Sequence, residues 1–101
     1  MRVEENIYYA VLFDVYAPLL SKGQQQVLQD YLYENLTASE ISENQNISRQ
    51  AVKDCIDKAL KKLEDFENKL HMKEKIESLQ KENQILKEKV ASLKGEKNGT
   101  I

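Results

Sequence analysis

Arg49, Gln50 and Lys53 lie within one helical turn of each other, directly after Ser48. Side chains of these types at this spacing can read nucleic acid. A guanidinium pairs with the edge of guanine and a carboxamide with the edge of adenine. An ammonium adds a point charge for phosphate. Such groups have to project from the start of a helix whose opposite face is held in a core. Val52, Cys55, Ile56, Ala59, Leu60 and Leu63 recur at helical spacing and supply that face, and Ser48 is a suitable N-cap for the helix. Upstream, Thr37 and Glu40 make a T-x-x-E capping box for a shorter helix. Ile41 is the apolar contact of that helix, Gln45-Asn46 its polar exit, and Ile47 is expected to plug the space beneath the turn. Residues 36–63 therefore read as a helix-turn-helix whose second helix offers its first turns to a groove. The candidate nucleic-acid set is Thr37, Ser48, Arg49, Gln50 and Lys53. Cys55, within the apolar stripe, is expected to be buried and inert.

The 101-residue chain has 15 basic and 17 acidic side chains, a net charge of −2. Residues 1–46 carry −5, residues 47–63 carry +3, and residues 64–101 are balanced. Positive charge is thus gathered on the second motif helix. Because phosphate neutralisation drives non-specific affinity, +3 implies weak binding of random DNA by a monomer. Asp54 and Asp57 share the exposed side with Arg49 and Lys53, and their carboxylates repel phosphate. An ordinary solvated helix face is the competing reading for these side chains, and for Lys58, Lys61 and Lys62 it is the preferred one.

The remaining elements are helical too. A first helix is expected from Glu5 to Tyr16, with Tyr8, Val11, Leu12 and Val15 on one face and Leu19 following, ended by Pro18. Ser21 and Gln24 form a second capping box, opening a helix to about Tyr33 whose core face is Val27, Leu28, Tyr31 and Leu32. Glu34-Asn35 is the turn into the motif, and tyrosines 8, 9, 16, 31 and 33 are expected at the rim. With no alternating run to suggest strands, the fold class is all-α: a small helical bundle over residues 1–70 containing the helix-turn-helix. Beyond it, the apolar phase shifts near His71. Residues 71–94 read as a zipper-like helix with coiled-coil character. Met72, Leu79, Leu86 and Leu93 fall at d, and Ile76, Asn83 and Val90 at a. β-Branched residues at a, leucine at d and one asparagine at a favour a parallel dimer. That reading is preferred over a helix folded back on the bundle. Residues 95–101 are expected to be a disordered tail.

Other functions leave no trace. There is no P-loop, nucleophile–base pair or Gly-rich phosphate cradle, so a non-enzyme is expected. A single cysteine and the lone His71 predict neither a metal site nor a cofactor. The start, MRVEENIYY, lacks a basic n-region, and no apolar run reaches the ~18 residues of a membrane span. A cytoplasmic protein without membrane contact is the expectation. A basic zipper is excluded, because Asp54, Asp57, Glu64, Asp65 and Glu67 interrupt the stretch ahead of the heptads.

Three runs carry a family resemblance: LFDVYAPLL at Leu12–Leu20, ISRQAV at Ile47–Val52, and LEDFENKLH at Leu63–His71. The segment from Leu20 to Glu67 resembles region 4 of bacterial sigma factors. Within that superfamily the chain resembles the YlxM family, small sigma-4-like proteins associated with the signal recognition particle. The resemblance covers about three-quarters of the chain. It implies a non-enzymatic, all-α, cytoplasmic accessory or regulatory protein of protein export, whose partners are the particle's RNA, its GTPase, or both. A DNA-binding transcription regulator is the alternative. One departure is that Asn46 stands where many such turns carry glycine, which asparagine's tolerance of the left-handed region permits. The other is the pair Asp54 and Asp57, which count against promoter reading.

Overall fold

A computed structural model describes residues 3–99. Among them are five α-helices and no strand: α1 Val3–Tyr16, α2 Lys22–Leu28, α3 Ala38–Gln45, α4 Arg49–Leu70 and α5 Met72–Gly99. A 3-10 turn, Ala17–Leu19, follows α1, and a π-helical turn, Gln29–Tyr33, extends α2. The chain forms two compact units that divide between His71 and Met72.

The helix starts follow the capping chemistry. Ser21 and Thr37 each accept a bond from the backbone N–H three residues on, and Gln24 Oε1 and Glu40 Oε1 in turn accept from the cap residue's own N–H. Ser48 Oγ accepts from Ala51 N at 3.0 Å. Left-handed residues end the helices: Asn46, at φ 53°, ends α3, and His71, at φ 52°, ends α4 with its N–H on Glu67 O at 2.8 Å. Asn35, at φ 55°, turns the chain between the π turn and α3.

The core of the first unit takes Leu12, Phe13 and Tyr16 from α1, then Leu20, and Val27, Leu28 and Leu32 from the α2 segment. Ile41 of α3 and Val52, Ile56, Ala59 and Leu63 of α4 close it. The α4 stripe is the one its spacing predicts, although Cys55 and Leu60 are only half-buried. Cys55 was expected to be buried. Burial pushes its thiol pKa up, against the pull of Lys58 and Lys62.

On α1 the expected face needs correcting. Tyr8 is exposed and Val11 and Val15 are half-buried, while Phe13 and Tyr16 go inside with Leu12. Most of this helix is apolar on every side, so periodicity could not select the buried face. The 3-10 turn then changes the rotation per residue, so that Leu20 is buried and Leu19 is not. Ile47 is also corrected: it is exposed at 41% and plugs nothing. Helix α5 continues to Gly99, past the Gly95 at which the tail was expected to begin, and Thr100 and Ile101 lie outside the described residues.

Buried polar groups tie the elements together. Asp30, in the π turn, accepts from Gln26 Nε2 at 3.1 Å on one oxygen and from Gln45 Nε2 at 3.0 Å on the other, joining the α2 segment to α3. Tyr16 donates to the buried Glu67 at 2.7 Å and Tyr9 to Glu64 at 2.6 Å, fastening α1 to α4. Tyr33 donates to Asp14. The Glu64 acceptor, with burial, holds the Tyr9 pKa at about 12, and burial with the Asp14 acceptor does the same for Tyr33. Both folded values lie above the ordinary 10, so this stabilisation is complete below pH 10 and disappears as pH rises toward 12. Ultraviolet titration should show late-ionising tyrosines in native protein, Tyr9 and Tyr33 among them, and every tyrosine near pH 10 in urea. Native titration of every tyrosine near pH 10 would contradict these two bonds.

Candidate nucleic-acid interface

The candidate residues lie on the first two turns of α4 and at the caps of α3 and α4. The opposite face of α4 is anchored by Val52 and Ile56, so Arg49, Gln50, Lys53, Asp54 and Asp57 are left exposed together. Among the described residues, neither Arg49 nor Lys53 has a hydrogen-bond or ion-pair partner within the protein. Both cations are therefore available to a ligand. A concavity lined by Tyr31, Ala38, Lys53, Ile56 and Asp57 sets Lys53 beside the first residue of α3. The structure thus brings the start of α3 close to the exposed flank of α4. A second concavity, lined in part by Tyr31, Asn35 and Thr37, continues along the same side.

Thr37 and Ser48 are exposed, as a contact role requires, yet both hydroxyl oxygens already accept from backbone N–H groups. Their O–H groups can still donate, which suits a phosphate oxygen and leaves the caps intact. Their first duty is to start the helices.

Gln50 is not free in the way its sequence position implies. Its Nε2 donates to Asp54 Oδ1 at 3.0 Å. Bidentate reading of adenine needs both the amide's donor and its acceptor, and here the donor group is shared with Asp54. Asp54 is therefore a partner of Gln50 as well as a charge that repels phosphate. A glutamine four residues before an aspartate on one helix face is the sequence signal for such a pair. Lys62, read as an ordinary surface lysine, donates to Gln24 Oε1 at 3.3 Å.

The expected oligomerisation residues, Met72, Ile76, Leu79, Asn83, Leu86, Val90 and Leu93, are all exposed on α5. No helix among the described residues is long and apolar enough to cross a membrane.

A protein-family model described as "Putative helix-turn-helix protein, YlxM / p13 like", the UPF0122 family, matches residues 3–100. The chain belongs to this family. Similar UPF0122 proteins include one from Clostridium novyi, 38% identical over 95% of this chain and 84% of the relative. Another, from Fusobacterium nucleatum, is 38% identical over 87% and 85%. One from Malacoplasma penetrans is 48% identical over a shorter stretch, 60% of this chain and 57% of the relative. Membership of a helix-turn-helix family supports a nucleic-acid-binding regulatory role.

Proposed function

We propose that this UPF0122 protein is a non-enzymatic accessory or regulatory protein of the signal recognition particle pathway. It acts in the cytoplasm as a homodimer and binds the particle's RNA, its GTPase, or both. The observation that carries the nucleic-acid part is the pair Arg49 and Lys53, exposed at the start of α4 and without a partner among the described residues, with the Thr37 and Ser48 hydroxyls as further donors. The particle is supplied by the resemblance of the Leu12–Leu20, Ile47–Val52 and Leu63–His71 runs to the YlxM family. The A-form major groove is too narrow for a recognition helix, so α4 would meet RNA at backbone, loops or minor groove. Contacts to phosphate suit that task better than base reading, and a Gln50 amide already held by Asp54 favours the same choice.

A DNA-binding transcription regulator is the second reading. The heptads of α5 favour it, since a dimer carries two motif helices and can engage two half-sites. Capture of the intact protein from extracts of its own cells, followed by RNA sequencing and mass spectrometry, separates the two. Recovery of the particle's RNA or GTPase is expected. Enrichment of chromosomal fragments without either would replace the first reading by the second.

A further inference from the structure

Helix α5 exposes a long apolar seam. Leu79, Leu86 and Leu93 keep 62%, 59% and 63% of their surface open, far more than a folded core tolerates. One section of the seam is shaped. A concavity on this single helix is lined by Asn83, Leu86, Lys87, Val90, Ala91 and Lys94. In the heptad frame its first four members are a, d, e and the next a. Those positions form the hole that accepts a d-position knob from a parallel partner. The side chain this hole fits is therefore leucine at d, and the chain supplies one at the same level, Leu86.

We infer that a second copy of this chain pairs with α5 in parallel and in register, each Leu86 seated among Asn83, Leu86, Lys87 and Val90 of the other. This deepens the homodimer of the proposed function and is independent of its nucleic-acid part. Two effects bear on the orientation. In parallel, Glu82 meets Lys87 of the second copy, which attracts, and Lys89 meets Lys94, which repels. An antiparallel pair on the same seam sets Glu82 against Lys89, which attracts, and Lys73 against Lys94, which repels, so the flanking charges favour neither orientation. Exposed pairs of this kind shift an equilibrium by no more than about fivefold each. Asn83 weighs more. In parallel it faces Asn83 of the second copy, and the two amides satisfy each other. In antiparallel each Asn83 is buried against Leu86 without a partner, a penalty of roughly 5- to 150-fold per amide, incurred twice. The asparagines decide for the parallel pair. Ile85, at c and 51% exposed, stays off the seam.

The test uses the full chain with Cys55→Ala, so that introduced thiols are the only ones. At about 100 μM, where a pair of micromolar affinity is mostly associated, sedimentation should show a dimer. Val90→Cys should then cross-link to itself under oxidised glutathione, and adding Leu86→Lys should abolish both dimer and cross-link. Leu79→Cys mixed with Val90→Cys should give like-with-like products. A monomer in sedimentation overturns the pairing. A dominant mixed product overturns the parallel orientation, because only an antiparallel seam brings positions 79 and 90 together. Retention of the dimer by the Leu86→Lys chain moves the interface away from this seam. None of these readouts involves nucleic acid, so a failure here leaves the role of α4 untouched.

Discussion

Replacing Arg49 and Lys53 together by glutamate is expected to weaken binding of the particle's RNA by at least about 100-fold at low salt. Each cation can make a charge-assisted bond to phosphate worth about 1.5–3 kcal/mol, and the new carboxylates add repulsion. The salt dependence should flatten as well. Two phosphate contacts on a single strand account for about 1.4 of the slope of log affinity against log salt, because each releases its condensed counterions. The fold should be unaffected. Both side chains are exposed, and among the described residues neither has an internal partner to lose, so the thermal midpoint should stay close to that of the parent chain. The measurement is a salt titration with the particle's RNA, run beside a random DNA duplex. Unchanged affinity and slope for the RNA would remove this surface from the proposed function. A parent chain that prefers the duplex would instead promote the regulator reading.

The second large effect concerns stability. Leu12 is fully buried on α1, within the core shared with α4. Leu12→Ala removes three carbons there and leaves a cavity, at a cost of about 2–5 kcal/mol. A bundle of this size has only roughly 4–10 kcal/mol in hand, so the variant should lose a large part of its stability, read as a lower urea midpoint. Leu19→Ala makes the same chemical change seven residues away. Leu19 is 56% exposed, and its loss should stay within about 0.5 kcal/mol. The comparison bears directly on the corrected α1 face, because the apolar pattern alone would have grouped the two leucines. Equal destabilisation would show that α1 packs in the phase its sequence suggested.

Local chemistry determined a good deal of this protein from sequence alone. The helix starts at Ser21, Thr37 and Ser48 follow from side-chain oxygens that satisfy nearby backbone donors, an interaction confined to a few residues. The turn at Asn46 follows from a short polar side chain that tolerates positive φ. The buried stripe of α4 was legible because apolar and charged residues segregate sharply around that helix, and its exposed cations were legible for the same reason.

Tertiary structure decided what depends on partners distant in the chain. Helix α1 is apolar on nearly all sides, so its buried face was chosen by the acceptors that α4 presents, Glu64 to Tyr9 and Glu67 to Tyr16. Asp30 and Glu67 are both buried. Burying a charge is tolerable only where donors converge on it, and the amides of Gln26 and Gln45 meet at Asp30 only once the π turn and α3 have packed together. Ile47 could not be placed from its type, because an apolar side chain after a turn is buried only if a neighbouring element covers it. Capping and periodicity are written in adjacent residues; which face is covered, and which buried charge finds its donors, is settled by elements that meet only in the folded chain.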